Sequence, residues 1–241
     1  MLAGEMEVDG DLNVSGDIQS PTIEELQAQI TALQIQIDNL QGGELITGTV
    51  SDIDGNIYQT IQIGTQNWMS ENLRVSRFNN GDEISLVPPM EWFQQYEPAY
   101  YIDGSSNTYG FYYNAYLVND EREVCPEGWH IPTDEELIQL MNYNGGSIIA
   151  GGKMKTTGYQ HWNVPNDGAT NESGFSALPA GKLMFSQGVI MEMNHEAFFW
   201  SSDESWDPDF NWGITLFYSS GGISRGGMAK RDGLSIRCIQ D

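Results

Sequence analysis

The sequence predicts an α+β head carried on an N-terminal β-repeat and a parallel coiled-coil stalk. Three observations carry that prediction. A narrow apolar seam near the start, Ile23, Leu26, Ile30, Leu33, Ile37 and Leu40, is spaced 3, 4, 3, 4, 3. Beyond Gly42 short strand-like runs alternate with turn chemistry, and the chain holds 27 glycines, nine prolines and seven tryptophans, which implies long loops pinned by aromatic rings. Only one stretch after residue 50 carries both helical caps and helical periodicity.

Residues 1–20 open the stalk. Val8-Asp9-Gly10-Asp11-Leu12 and Val14-Ser15-Gly16-Asp17-Ile18 are near-copies, and Met6, Val8, Leu12, Val14 and Ile18 share one parity. That is strand alternation, with glycines where backbones turn or pass closely. So short a strand buries its apolar side only against copies of itself, and the repeats resemble those of trimeric phage tail fibres.

Residues 21–42 form the coiled coil. Pro21 pre-sets the helix start, Thr22 and Glu25 form a capping-box pattern, and Gly42-Gly43 ends the helix. The seam occupies heptad a and d positions and implies a left-handed supercoil of identical chains. Apart from Thr22, the e and g positions are glutamines (Gln27, Gln29, Gln34, Gln36, Gln41), so charge pairs do not set the stoichiometry. Isoleucine at a with leucine at d favours two strands, whereas the preceding repeat favours three. The neighbouring module imposes its symmetry on three marginal heptads, so a homotrimer is expected, with a dimer as the alternative.

Residues 43–49 are read as a linker and 50–241 as the head. Asp54-Gly55-Asn56 between Val50–Ile53 and Ile57–Ile63 is a hairpin signal. Thr133 and Glu136 make a capping box for a helix whose buried side is Leu137, Leu140 and Met141.

Composition narrows the partners. Ten Lys and Arg against 34 Asp and Glu give a formal net charge of −24, which argues against nucleic acid and anionic membrane surfaces. A run of eighteen apolar residues is absent, so membrane insertion is not expected. A basic n-region and an apolar h-region are also missing at the start, so the expected location is extracellular or particle-associated by a route that does not read a signal peptide. Cys125 and Cys238 lie more than a hundred residues apart without metal-ligand spacing. They are either two buried thiols or a disulfide worth about 4–5 kcal/mol of loop entropy.

An ordered series of motifs runs through the head: Asn67-Trp68-Met69-Ser70-Glu71-Asn72-Leu73-Arg74, Tyr109-Gly110-Phe111-Tyr112-Tyr113-Asn114, Cys125-Pro126-Glu127-Gly128-Trp129-His130-Ile131-Pro132-Thr133, Ser173-Gly174-Phe175-Ser176-Ala177-Leu178-Pro179, Phe199-Trp200-Ser201-Ser202 and Ser235-Ile236-Arg237-Cys238. The series resembles the Fibrobacter succinogenes major paralogous domain family. That resemblance implies a C-type-lectin-like fold with pairing N- and C-terminal strands, a Cys125–Cys238 bridge, and occurrence on surface or secreted bacterial proteins. The same fold hosts formylglycine-generating enzymes that use reactive cysteines, but here the two cysteines stand at other positions. Gly-x-Ser-x-Gly does not surround Ser201-Ser202, and His130, His161 and His195 show no partner in the sequence, so an enzyme is not expected.

Binding is expected instead. Residues 203–212, Asp-Glu-Ser-Trp-Asp-Pro-Asp-Phe-Asn-Trp, mix acidic and aromatic groups. Trp206, Phe210 and Trp212 suit stacking on sugar faces or anchoring a protein, with Asp207 and Asp209 beside them. Asp203, Glu204, Asp207 and Asp209 are hard donors suited to calcium but complete no calcium loop; Asp52-x-Asp54-Gly55-Asn56 reads as a turn. Glu97-Pro98-Ala99 and Trp162-Asn163-Val164 each fall one residue short of a lectin calcium-sugar signature. No cofactor is therefore expected. Arg225, Lys230 and Arg231 form a second candidate, a cationic cluster beside the Gly-rich run 219–228. Together these features predict a homotrimeric fibre or adhesin-type subunit presenting heads to a cell-surface glycan or protein, on a phage tail or contractile-injection-like particle. The alternatives are a cap or decoration contacting other particle subunits, and a secreted carbohydrate-binding surface protein.

Overall fold

The computed structural model describes residues 26, 29, 30, 45, 47–104 and 107–241. Contacts divide the chain into Met1–Gln41 and Gly42–Asp241. In the first unit Leu26, Gln29 and Ile30 are helical and exposed. The expected repeat over 1–20 and the seam positions Ile23, Leu33, Ile37 and Leu40 lie outside the described residues.

The second unit mixes helix and sheet, with strands dominant, and is α+β. Strands β1 (Thr47–Ser51) and β2 (Ile57–Ile63) form an antiparallel hairpin, Thr47 facing Ile61 and Ser51 facing Ile57. The strand expected at Val50–Ile53 thus starts earlier, and the linker expected at 43–49 gives its last three residues to β1. Asp52 explains the early stop. Its buried carboxylate accepts from the Asn56 N–H (2.9 Å), the Asn56 side chain (2.8 Å) and the Tyr58 hydroxyl (2.6 Å), closing the turn. Gly55 supplies the positive φ (80°) that this turn requires.

Strand β3 (Gln66–Met69) continues the meander. A small sheet follows, β4 (Ser85–Leu86), β5 (Ala99–Tyr101) and β6 (Tyr112–Tyr113), then helix α1 (Ala115–Val118) and strand β7 (Trp129–His130). Helix α2 (Asp134–Tyr143) has the expected capping box: the Glu136 N–H donates to Thr133 Oγ1, and Glu136 accepts from the Thr133 N–H. Leu137, Leu140 and Met141 are its buried face. After α3 (Ala150–Met154) come the ribbon β8 (Lys182–Met184) and β9 (Val189–Met191), the antiparallel sheet β10 (Glu196–Glu204), β11 (Phe210–Phe217) and β12 (Ile223–Ala229), and finally β13 (Ile239–Gln240).

The C-terminal strand joins the N-terminal sheet, but its neighbours differ from the pairing of first and last strands that the family resemblance implies. The order is β1-β2-β3-β13-β7, so β13 sits between β3 and β7 while β1 forms the edge. The reason is local. The disulfide from Cys238 to Cys125 ties the tail to the segment entering β7, which seats β13 between β7 and the outer side of β3 and away from the β1 edge.

One core gathers Tyr58, Trp129, Trp200, Leu234 and the disulfide; a second gathers Trp68, Leu137, Leu140, Phe175, Phe199, Ile214 and Leu216. Two buried cations pin the loops over them. Lys155 Nζ donates to the carbonyls of Asp167 (2.8 Å), Phe217 (2.7 Å) and Ser220 (3.0 Å). Arg237 lies against the Phe175 ring (4.4 Å) and donates to Asn72 Oδ1 (2.8 Å) and to the Phe175 and Ser176 carbonyls. Burial pushes its pKa down, yet a guanidinium keeps its charge at neutral pH.

Candidate functional site

Five of the seven tryptophans, Trp68, Trp92, Trp129, Trp162 and Trp200, are buried in the head. Trp206 stands apart at 90% exposed. It occupies the connection between β10 and β11, a loop built to hold one shape. The Ser205 N–H donates to the Phe210 carbonyl (2.9 Å), the Phe210 N–H to the Asp207 carbonyl (3.0 Å), and Ser205 Oγ accepts from the Asp207 N–H (3.2 Å). Asp207 Oδ1 accepts from the Asp209 N–H (3.0 Å), an Asx turn.

The indole of Trp206 meets Trp212 edge-on, with centroids 4.8 Å apart and planes at 89°. Trp212 belongs to β11 and continues the parity of Ile214 and Leu216, so it extends the second core's face toward solvent. The register of β11 and β12 sets Arg225 opposite Ile214, diagonal to Trp212, and the guanidinium stacks on the Trp212 ring at 3.8 Å. Both Arg225 nitrogens that face α2 fork onto the Asp134 carboxylate. Asp134 in turn donates its N–H to Asp203 Oδ2 (2.8 Å). The result is a ladder, Trp206 on Trp212 on Arg225 on Asp134, that fixes an exposed ring from beneath. Hydrogen bonding to Asp134 raises the Arg225 pKa further, so its guanidinium stays charged.

A family model described as the Fibrobacter succinogenes major domain matches residues 61–240. The chain belongs to that family. No curated protein and no solved structure matches it. The matched span of this Fibrobacter succinogenes major domain takes in both cysteines, helix α2 and every rung of the ladder.

The other residues singled out by the sequence fall into place around it. Asp207, Asp209 and partly buried Phe210 share the loop with Trp206. Arg231 is elsewhere: it donates to the Phe93 carbonyl (3.1 Å) and the Tyr96 hydroxyl (3.0 Å) and stacks on Phe185 at 4.0 Å. Lys230 pairs with Glu204. The cationic cluster of Arg225, Lys230 and Arg231 is therefore corrected to three separate pairings, because each side chain finds a partner distant in sequence. Residues 223–228 of the Gly-rich run lie in strand β12 rather than in an open surface loop. The four acidic side chains at 203–209 do not converge either. Asp203 and Glu204 are used by Asp134 and Lys230, and among the described residues no group of three or more His, Cys, Asp or Glu is placed to hold a metal ion.

The histidines all have partners. His130 lies 2.7 Å from Asp241 Oδ1 and 3.0 Å from both Glu136 oxygens. His161 Nδ1 is 3.2 Å from the Tyr109 hydroxyl, and His195 Nε2 is 2.9 Å from Asn163 Nδ2. Ser201 is buried, and Ser202 Oγ donates to the Pro132 carbonyl (3.3 Å). Asp134 is the rung that sequence reasoning missed. Its only local signal is its place in the first helical turn.

Proposed function

We propose that this chain is a homotrimeric fibre or adhesin-type subunit whose C-type-lectin-like heads bind a cell-surface glycan, on a phage tail or contractile-injection-like particle. The observation that carries the binding site is Trp206, exposed and held rigid by the ladder beneath it. A ring fixed in advance loses little side-chain entropy when a ligand covers it. A pyranose offers a face of C–H groups to such a ring, while Asp207 and Asp209 stand ready to accept from its hydroxyls.

Several features support the finer reading of the fold. The C-terminal strand returns to the N-terminal sheet, the disulfide ties that tail to a distant loop, and a single ten-residue helix packs on a mostly β head. The trimer rests on the heptad seam and the β-repeat; Leu26 and Ile30 are helical yet exposed in the lone chain. The particle setting rests on the fibre-like repeats.

A second surface favours the alternative of a cap or decoration protein. Met90, Phe93 and Tyr96 are exposed together in and just after the short helical segment Pro89–Gln94, a patch suited to a neighbouring subunit. A secreted carbohydrate-binding surface protein would use the same head chemistry as the fibre. Turnover is not assigned, since the histidines and Ser202 are engaged in the contacts described above. Among the described residues no helix is long and apolar enough to cross a membrane.

A glycan array read with the full chain and its Trp206→Ala variant tests the site. Wild-type signal on at least one glycan should fall more than about tenfold in the variant, the loss of about 1.4 kcal/mol or more. Unfolding free energy should change by less than about 0.5 kcal/mol, as for a surface position. Equal glycan signal from the two proteins would refute the assignment.

A further inference from the structure

Away from the ladder a cleft of about 420 Å³ lies between the loop following α1 and strand β7. Its floor is apolar: Val118, Val124, Trp129 and Ile131 are all buried, beside the disulfide of Cys125. Glu121 and Glu123 line the same cleft, are exposed, and their carboxylates make no hydrogen bond or ion pair with any described residue. The cations nearby are already engaged. Arg122 binds Asp120 (2.7 Å) and Asp82 (3.2 Å) with its plane on Phe78, and His130 sits between Glu136 and Asp241. The loop bearing the two glutamates is also pinned, because the Asn79 N–H is shared between the Arg122 and Glu123 carbonyls (3.2 and 3.0 Å).

We propose that this cleft receives a lysine or arginine side chain from an extended peptide segment of a protein partner. The chemistry of the lining selects that ligand. Four buried hydrophobic side chains suit the methylene stem of a long cationic residue, and two unpaired carboxylates suit its charged head. Asn119, Asp120, His130 and Ser202 also line the cleft, but the apolar floor beside two unpaired carboxylates matches a methylene stem with a charged end better than a ring carrying hydroxyls on every side. The volume is at the low end for a ligand site and fits one side chain with its flanking backbone. A chain carrying −24 also draws cationic segments toward itself before they dock. This site is independent of Trp206, so either assignment stands or falls alone.

The test is fluorescence anisotropy of the full chain with a labelled peptide, N-acetyl-Gly-Lys-Gly-Lys-Gly-amide, at low ionic strength. Saturable binding is expected, weakened about tenfold or more by the double variant Glu121→Gln/Glu123→Gln. Acetylating the peptide lysines should abolish it. Neutralising exposed acids outside the cleft, with Glu135→Gln/Glu192→Gln, should leave it within about twofold, which separates docking from general attraction to an acidic protein. Absence of saturable binding, equal binding of the acetylated peptide, or equal weakening by the two double variants would overturn the proposal. Direct binding of a labelled glucosamine trimer that is lost in Glu121→Gln/Glu123→Gln, while the lysine peptide fails to bind, would likewise overturn it, in favour of a glycan.

Discussion

Lys155 holds an ammonium where water does not reach it. Burial pushes its pKa down to about 8, with the charge of Asp167 acting in the opposite direction, while three backbone carbonyls ask for all three of its protons. Those carbonyls belong to residues 167, 217 and 220, so one side chain fastens the end of β11, the connection that follows it and the loop at Asp167. Replacing it by methionine keeps the bulk and orphans the acceptors. Lys155→Met should therefore cost about 3–5 kcal/mol in urea unfolding; a loss below about 1 kcal/mol would contradict this role. His130 gives a pH signature. Burial opposes its charge, but hydrogen bonds to Asp241 and then Glu136 outweigh burial and raise its pKa above 6.5. A raised histidine contributes its full stability below about pH 6.5 and loses it as pH climbs through the folded-state value. The stability difference between wild type and His130→Asn should thus be larger at about pH 6 than at about pH 8.5, measured by urea unfolding, and an equal difference at both would rule the linkage out. Neither residue's role is legible in the sequence. The partners of Lys155 are backbone groups 12, 62 and 65 residues away, and Asp241 lies 111 residues beyond His130.

At the scale of elements, legibility follows the distance between partners. The capping box of α2 and the Asp52 turn are complete within three to six residues, so residue types at fixed spacing reveal them. Trp206 is visible too, because an aromatic among acidic residues and a proline does not suit a core. The support beneath it is not visible. Arg225 and Asp134 are 91 residues apart, and only the register of β11 with β12 and the seating of α2 bring them together. For the same reason the local run of Arg225, Lys230 and Arg231 misleads as a cationic patch. Glycines mark another junction that spacing conceals. A Cβ on Gly151, in α3, would stand 2.0 Å from the Gly222 carbonyl oxygen, and one on Gly152 would stand 2.2 Å from that of Gly168. Backbone meets backbone there, and neither side has a flexible tip to move. Gly151→Ala should lower stability by about 2 kcal/mol or more in denaturant unfolding, as overpacking against rigid neighbours does. A variant as stable as wild type would show that the α3 contact yields freely.

For the whole molecule, the proposed binding chemistry and the proposed assembly depend on each other. One exposed indole with two carboxylates corresponds to weak recognition, of the order of millimolar, which is about 4 kcal/mol. Linking three heads through a common stalk raises apparent affinity about 10²–10⁴-fold without any new contact, provided the sites can be engaged together. A solitary head would leave the Trp206 ladder too weak to hold a surface. In the proposed function the heptad seam supplies the reason for clustering, since the spacing of Ile23, Leu26, Ile30, Leu33, Ile37 and Leu40 is that of a stripe covered by other copies of itself. Multivalence is therefore the claim that carries the functional reading. Sedimentation equilibrium of the full chain at micromolar concentration tests it most directly. A mass of three 26.9 kDa chains is expected, and a folded species with the mass of one chain would contradict it.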